Sequence, residues 1–371
     1  MNIENTQQSI EKLFRNTVQK DRKIHNAYLS VHSDKLDIHI NIAEGSSNNI
    51  PANENQPYYI ASVGKLFTSV IVGVLFEQGK LSYDDKITPY LDEDLLQYLH
   101  IFKGKDYTDQ IRIRHLLNHT SGIHDYFGDK PKHTTPMLEQ IIGEPSRFWT
   151  PREVIQWSKN NLDSHFPPGK GFHYSDTGYH ILGLIIENAT SMPFHTALKQ
   201  YVFQPLAMNH SYLVQHSEPL MQSDYPVSDI YIDETRIDVT QTRSLSIDYA
   251  GGGIVSTSDD LLKFMKALVK NVIISAYTFE KMKDWARFFF GIDYGYGVMS
   301  IKTIPIFMPK KYNSWGNAGS TGSFLFYHPA MDAYFIGTLN HQGYHVKGIR
   351  MMLKVINILS KCDRSSSGSD H

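Results

Sequence analysis

Cysteine is nearly absent from this 371-residue sequence, and Cys362 is the only one. A chain with one cysteine cannot form an internal disulfide or a cysteine-based zinc site. An excess of positive charge is missing too, because 36 Lys and Arg residues face 38 Asp and Glu residues, for a formal net charge of -2. Without a basic stripe of interleaved aromatic residues, the sequence gives no sign of nucleic-acid binding.

Long hydrophobic runs are also missing. The longest uncharged apolar stretch, 66–76, is well short of the about 20 residues that a membrane-spanning helix needs. The N-terminal residues MNIENTQQSIEK lack the basic start and apolar core of a signal peptide. We therefore expect no membrane span and a cytoplasmic location, unless an export signal precedes residue 1.

The composition is otherwise that of a globular protein, with 41% hydrophobic and 20% charged residues. The length favours one large domain or two interleaved domains. Strand-like patterns gather near the two ends of the chain, whereas residues 80–249 carry mostly helical patterns, prolines and loops. Helices are predicted at 6–20, 62–79 and 346–361, and strands at 25–33, 36–43, 57–61, 295–301, 322–328 and 333–340.

These patterns predict an α+β fold in which one antiparallel sheet, built from both ends of the chain, is flanked by helices. Residues 1–79 and 250–362 are expected to form this sheet domain, and residues 80–249 a mainly helical inserted region. Residues 363–371 are expected to be a flexible tail.

Ser62 and Lys65 form the first functional candidate. Their i, i+3 spacing places a hydroxyl and an amine on one face of the first turn of a helix. A serine hydroxyl becomes a good nucleophile when a base takes its proton, and a lysine in its neutral form can be that base. Ser-x-x-Lys arises by chance about once in a chain of this length, and Ser9 and Lys12 form a second copy. The strand that precedes Ser62 favours the first copy.

Two further segments carry polar residues that could serve such a serine. Tyr174 follows the Pro- and Gly-rich stretch 167–171 and could accept or relay the serine proton, while Asp176 could bond to Lys65 or to a substrate. The alternative interpretation is a turn in which Asp176 caps the next helix. The segment 315–324, WGNAGSTGSF, predicts either a strand edge that a substrate backbone can approach closely or a hairpin turn between two strands.

Taken in chain order, these segments resemble the S-x-x-K, Y-x-N and K-T-G or H-x-G motifs of the serine β-lactamase and penicillin-binding-protein family. The likeness is to its class-C-like esterase and D-peptidase branch in particular. It covers roughly 55–345, and the further similar segments are 113–122 (IRHLLNHTSG), 174–179, 202–208, 251–253 and 319–323.

The resemblance implies roles for the matched positions. Ser62 would be acylated, and Lys65 and Tyr174 would share the proton transfers. The backbone N–H groups of Ser62 and Ser320 would form the oxyanion hole. The resemblance also implies a substrate cleft between the sheet and the helical region, and no metal or other cofactor is expected. The positions that would contact the substrate are Asp176, Asn317, Ala318 and Gly319.

Two positions depart from the family pattern. Asp176 replaces the usual asparagine, so that an amide donor becomes a charged acceptor, which can still pair with lysine. Asn317 stands where the family has lysine or histidine, and it cannot attract a substrate carboxylate by charge. We therefore expect neutral acyl substrates to be favoured over carboxylate-bearing ones. The residues considered as replacements for the missing cation are His328, His341, Lys310 and Lys311.

The predicted function is hydrolysis of an ester, an amide or a D-amino-acid peptide through an acyl-enzyme, with an esterase or D-peptidase favoured over an efficient β-lactamase. The partner would be a small-molecule or short-peptide substrate. One alternative is a binding protein that keeps the fold without turnover, and Asn317 is its main support. A metallohydrolase is a weaker alternative, since the candidate ligands His115, His119 and His124 lack the Glu that a zincin uses as general base.

Overall fold

The computed structural model describes residues 2–304 and 309–366, the side chains of 363–366 excepted. The α-helices in these ranges are α1 (Ile3–Lys20), α2 (Gly64–Glu77), α3 (Glu93–Leu96), α4 (Ile113–Leu117), α5 (Met137–Gly143), α6 (Pro151–Asn161), α7 (Asp176–Thr190), α8 (Phe194–Leu198), α9 (Tyr249–Gly252), α10 (Ser258–Val269), α11 (Ala276–Met282) and α12 (His345–Ser366). The strands are β1 (Asn26–Ser33), β2 (Ile38–Ser47), β3 (Ile50–Pro51), β4 (Tyr58–Tyr59), β5 (Ile101–Phe102), β6 (Lys105–Asp106), β7 (Tyr212–Leu213), β8 (Ile230–Ile232), β9 (Thr235–Ile237), β10 (Ile254–Ser256), β11 (Ala286–Phe289), β12 (Ile292–Tyr294), β13 (Met299–Ile301), β14 (Ser314–Ala318), β15 (Phe324–His328) and β16 (Ala333–Thr338).

The main sheet joins the two ends of the chain. Within the described ranges it has nine antiparallel strands in the order β11-β12-β13-β14-β15-β16-β1-β2-β3. The N-terminal hairpin meets the C-terminal strands where β1 pairs with β16, and Tyr28 lies opposite Thr338. The predicted antiparallel sheet from both termini is therefore confirmed.

Two helical layers enclose this sheet. On one face, α1 packs beside α12, and Ile10, Phe14 and Val18 turn one apolar side of α1 inward because they lie four residues apart. On the other face, α10 and α2 contact the sheet, and the apolar core there runs on through α7. The helices inserted between β4 and β10 thus share a core with the sheet.

Helix α2 follows the prediction made for it. Its apolar side chains are buried all round rather than along one stripe, as expected for a helix inside a large core. It ends where Gly79 takes a positive φ of 67° and the Lys80 N–H donates to the Leu75 carbonyl at 3.0 Å. A glycine reaches this left-handed conformation without the steric cost that a Cβ adds.

Several predicted boundaries differ from the structure. The strand predicted at 57–61 is shorter and pairs with β10 in a separate three-stranded sheet, β4-β10-β7. Strands β11 and β12 were not predicted, because the consecutive apolar residues 288–290 hide the alternation that marks a strand. Helix α12 continues to Ser366 and so includes the first residues of the predicted tail, and the rest of that tail, 367–371, lies outside the described residues. None of the described helices has the length and apolar content to cross a bilayer.

Candidate active site

Ser62 lies at a sharp change of direction between β4 and α2. Ala61, directly before it, has a φ of 48°, which is an uncommon conformation for a residue with a Cβ. A short 3-10 turn, Ala61–Val63, then leads into α2. This turn places the Ser62 side chain on the wall of a cavity of about 560 Å³.

Lys65 lies one turn further along and is fully buried. Its Nζ lies 3.1 Å from Ser62 Oγ and 2.6 Å from the Gly251 carbonyl oxygen. It also contacts an Asp176 carboxylate oxygen, which compensates for the loss of water around the amine. The predicted serine–lysine pair is thus brought together at hydrogen-bonding distance.

Tyr174 lies two residues before α7 and completes a group of three around Ser62. Burial and the nearby Asp176 carboxylate raise the pKa of Tyr174 well above its ordinary value, although a hydrogen bond with Ser62 lowers it. The ring centroid is 4.9 Å from Lys65 Nζ. The raised pKa keeps the phenol protonated at neutral pH.

His119 holds the segment that carries Tyr174. Its carbonyl oxygen accepts from the His173 N–H at 2.9 Å, and its Nδ1 accepts from the Ser175 N–H at 3.1 Å. Its ring packs against Tyr174 with centroids 4.2 Å apart. Burial, followed by the charge of Lys65, lowers the pKa of His119 well below its usual range, so that the ring is neutral. These contacts to His173, Tyr174 and Ser175 hold Tyr174 in position.

Asp176 does not cap α7. The N-cap is Ser175, whose side chain accepts from the Gly178 N–H at 3.1 Å, so the capping interpretation of Asp176 is wrong. The Asp176 N–H donates instead to the Asp125 carboxylate at 2.8 Å. Burial and repulsion by Asp176 raise the pKa of Asp125, which disfavours a second negative charge beside the first.

Asp248 is a third carboxylate on the cavity wall. It accepts hydrogen bonds from the Tyr59 hydroxyl and, at 3.1 Å, from the Tyr126 hydroxyl. Burial and the charge of Asp176 raise its pKa, against the opposing effect of these hydrogen bonds. No sequence motif singled out Asp125 or Asp248. Their positions just after 113–122 and just before 251–253 were the only available signals.

The end of β14 passes close to the nucleophile. Ala318, Gly319 and Ser320 all line the cavity. A Cβ on Gly319 would lie 2.3 Å from Ser323 Oγ and 2.9 Å from the Ala61 Cβ, so only glycine allows this approach. The approach brings the backbone around Ser320 to the same cavity wall as Ser62.

Asn317, which was expected to contact the substrate, is not among the described residues that line the cavity, whereas its neighbour Ala318 is. Asn317 is fully buried, where its amide donates to the Gly297 carbonyl at 2.8 Å and to the Tyr294 hydroxyl at 3.3 Å. Its side chain therefore serves packing between β14 and its neighbours.

The cations proposed as substitutes for Asn317 also lie away from the cavity. Lys311 contacts Asn357, and His341 bonds through both ring nitrogens to backbone carbonyls. The described residues that line the cavity include none of the four candidates Lys310, Lys311, His328 and His341. The guanidinium that does line it is Arg350, on α12.

A carboxylate–histidine unit supports the loop that carries Asp125. Asp129 accepts from the Asp125 N–H at 2.7 Å and contacts His165 and His173 Nε2 atoms at 2.8 and 3.1 Å. Burial raises the pKa of Asp129, but the hydrogen bonds with His173 and His165 outweigh it and lower the pKa to about 2. This unit joins the loop at 125–129 to the loop at 165–173.

The histidines of the metallohydrolase alternative do not converge. His115 Nδ1 accepts from the Arg112 N–H, and His119 Nδ1 is occupied by Ser175. Within the described part of the chain, no cluster of three possible metal ligands contains His115, His119 or His124.

The second serine–lysine copy is also unlike the first. The Ser9 hydroxyl donates to the Asn5 carbonyl at 2.6 Å within α1, and Ser9 does not line the cavity.

Comparison with known proteins identifies the family to which the chain belongs. A profile of the Beta-lactamase family matches residues 14–353. This match covers most of the sequence, and the chain belongs to the Beta-lactamase family. The resemblance inferred from the motifs is confirmed.

Two curated relatives illustrate the sequence distance. Penicillin-binding protein 4* of Bacillus subtilis is 29% identical over 262 residues, which are 67% of this chain and 53% of that protein. A β-lactamase of Yersinia enterocolitica is 26% identical over 218 residues, which are 58% of this chain and 47% of that protein. The chain thus matches about half the length of these relatives.

Solved structures share the fold over nearly the whole chain. D-amino acid amidase from Ochrobactrum anthropi SV3, complexed with L-phenylalanine amide, gives a TM-score of 0.74 at 21% identity and covers 95% of this chain and 99% of its own. EstCE1, a hydrolase with promiscuous acyltransferase activity, gives 0.73 at 19% identity and covers 95% and 98%. At these identities the likeness establishes the fold, and the predicted fold class is confirmed.

Proposed function

We propose that this chain is a serine acyl hydrolase in which Ser62 forms an acyl-enzyme with an ester or an amide. The observation that carries the proposal is the 3.1 Å contact between Ser62 Oγ and the buried Lys65 Nζ, on the wall of a substrate-sized cavity. The proximity of Tyr174 to Ser62 and to Lys65 and the membership of the Beta-lactamase family support the same activity.

Lys65 and Tyr174 would divide the proton transfers. In acylation, the Ser62 proton passes to Lys65 in its amine form while Oγ bonds to the substrate carbonyl carbon. The leaving oxygen or nitrogen departs with the Tyr174 proton, which Lys65 then replaces. In deacylation, a water loses its proton to this pair and attacks the acyl carbonyl, and the proton returns to Ser62.

The oxyanion formed at each step needs donors. The N–H groups of Ser62 and Ser320 are the proposed pair, because both residues line the cavity and Gly319 allows the strand to approach the serine. Such preorganised donors contribute most where the negative charge develops in the transition state.

The charges around the cavity favour a substrate without a carboxylate beside the scissile carbonyl. The carboxyl groups of Asp125, Asp176 and Asp248 line the cavity, against the one guanidinium of Arg350 among its described residues. Burial and Asp176 raise the pKa of Asp125, so Asp176, beside Lys65, is the main source of negative charge. Lys65 is already engaged by Asp176, so it offers little attraction to an anion. An uncharged ester or amide avoids the repulsion, which agrees with an esterase or amidase rather than an efficient β-lactamase.

We also propose that the protein is located in the cytoplasm.

Covalent labelling tests the proposed nucleophile. The protein is treated with a fluorophosphonate, and intact mass followed by peptide mapping locates the adduct. We expect one adduct on Ser62, none in Ser62→Ala, and an unchanged adduct in Ser9→Ala, the matched control from the second Ser-x-x-Lys copy. Labelling that persists in Ser62→Ala would contradict the assignment, and a folded wild-type protein that is never labelled would favour the binding-protein alternative.

A further inference from the structure

The walls of the Ser62 cavity are apolar on two sides. One side consists of Leu138, Ile141, Ile230, Ile232 and Leu245, here called the Ile141 lobe. The other consists of Phe288, Phe289, Ile292, Met299 and Ile349, here called the Phe288 lobe.

The two lobes belong to different parts of the core. The described residues of the Ile141 lobe belong to or pack on a cluster with Tyr59, Tyr126 and Trp149. In the Phe288 lobe, Met299 is buried in the cluster under α1 and α12, and Phe288, Ile292 and Ile349 pack against it. Ser62 thus lies on the wall of a cavity bounded by two separate apolar surfaces.

The mouth of the cavity exposes apolar surface as well. Phe289 is 60% exposed and Val346 is 45% exposed, and both line the cavity. Exposed apolar surface that continues into a cleft is typical of a binding site for an apolar group, because only an occupant removes it from water.

Tyr174 indicates which lobe receives which part of the substrate. The Phe288 ring stacks on the Tyr174 ring at 6.0 Å between centroids, with an interplanar angle of 26°. As the proposed donor to the leaving atom, Tyr174 must face the leaving group. The leaving group then lies along the Phe288 lobe, and the acyl group lies on the opposite side.

We propose that the substrate is an ester or amide with an apolar acyl group of medium length or with a ring, bound by the Ile141 lobe, and an apolar leaving group bound by the Phe288 lobe. This rests on the proposed acyl-enzyme function and adds the substrate class to it. Asp125 accepts from the Asp176 N–H beside Lys65, and Asp248, next to the Ile141 lobe, is held by the hydroxyls of Tyr59 and Tyr126.

A series of p-nitrophenyl esters from butyrate to octanoate tests the acyl side, since the leaving group and the intrinsic reactivity of the ester stay nearly constant. If each added methylene becomes fully buried, kcat/KM rises about fourfold per methylene. The rise should stop when the Ile141 lobe is full. Loss of the reaction in Ser62→Ala shows that the turnover measured is that of the proposed site.

Two half-buried aliphatic residues of α5 provide a matched pair of variants. Leu138 lines the cavity and Ile142 does not. Leu138→Ser and the lobe-filling Leu138→Trp should both lower the octanoate-to-butyrate ratio severalfold, whereas Ile142→Ser should leave it within twofold. Because one Leu138 variant removes volume and the other adds it, a folding defect in either leaves the other as a test.

Two adjacent exposed aromatic residues provide the pair for the leaving-group side. Phe289 lines the cavity, and Phe290, 63% exposed, does not. Between phenyl and 2-naphthyl butyrate, whose leaving groups are similar in acidity, the wild type should prefer the naphthyl ester. Phe289→Ser should reduce that preference severalfold and Phe290→Ser should not.

The outcomes separate the two proposals. A flat or falling chain-length profile with turnover that depends on Ser62 overturns the substrate class and leaves the hydrolase. Equal effects of the members of either pair overturn the assignment of that lobe. Absence of any Ser62-dependent acylation, measured also as a burst of p-nitrophenol, overturns the proposed function itself.

Discussion

Replacing Asp176 by asparagine should move the pH dependence of acylation. Asp176 contacts the Lys65 ammonium group, so it stabilises positive charge on the group that must accept the Ser62 proton. Asp176→Asn removes that negative charge and keeps the size of the side chain. We expect acylation by Asp176→Asn to begin at lower pH than acylation by the wild type.

A Coulomb estimate gives an upper limit for this shift in the pH dependence. Two unit charges about 4 Å apart interact by about 4 kcal/mol at an effective dielectric constant of 20. Since 1.36 kcal/mol corresponds to one pH unit, the limit is about three units. The Gly251 carbonyl at 2.6 Å from Lys65 Nζ continues to favour the ammonium form, so the expected shift is roughly one to three units.

Single-turnover acylation by p-nitrophenyl butyrate, followed between about pH 6 and 10, measures this shift. Asp248→Asn is the matched control, because it also removes a carboxylate from the cavity wall without a direct contact to Lys65. Its midpoint should move less than that of Asp176→Asn. A midpoint that stays in place or rises in Asp176→Asn would refute Lys65 as the proton acceptor.

Three further predictions concern the surroundings of the nucleophile. Lys65→Ala and Tyr174→Phe should each reduce acylation by ~100-fold or more, and the double variant should lose little beyond the worse single one, because the two groups act in one proton transfer; multiplying effects in the same assay would contradict this. The pKa of Asp129, lowered from 3.8 to about 2, corresponds to about 2 kcal/mol of stability that is present above pH 4 and lost as the pH falls towards 2. Denaturant unfolding should therefore show Asp129→Asn less stable than wild type by about that amount at pH 6 and nearly equal at pH 2, and a loss independent of pH would speak against it. Asn317→Ala leaves the Gly297 carbonyl without its donor and should lower the free energy of unfolding by about 2 kcal/mol, while the relative turnover of neutral and carboxylate-bearing esters stays within twofold; a changed ratio would return Asn317 to the substrate site.

The residues nearest the nucleophile could be predicted from sequence because their geometry is local. Ser62 and Lys65 are three apart at the start of a helix, so the helix itself brings them together. Tyr174 required only the order of motifs along the chain. The sheet from both termini followed from alternation in β1, β2, β15 and β16, where one turn or one pairing sets the register.

The roles of His119 and Asp248 were missed because they depend on contacts distant in sequence. His119 meets Tyr174 across 54 intervening positions of the chain, and Asp248 meets Tyr59 across 188. Neither spacing leaves a periodic signal. For Asn317 the sequence predicted a strand edge, but the face on which a side chain lies depends on register. A shift of one position separates Ala318, on the cavity, from Asn317, in the core.

Of the two departures from the family pattern, Asp176 is the one that contacts Lys65. An asparagine replaced by aspartate adds a negative charge there, so the surroundings of Lys65 are more negative by one charge than the motif alone implies. Burial strengthens this effect, because Lys65 is fully buried and water screens its surroundings poorly. Burial and then the charge of Asp176 raise the pKa of Asp125, because a second negative charge beside Asp176 is disfavoured. Discrimination against anionic substrates then arises from the combined negative potential of the site rather than from one contact. It should weaken when the carboxylate of Asp176 is neutralised.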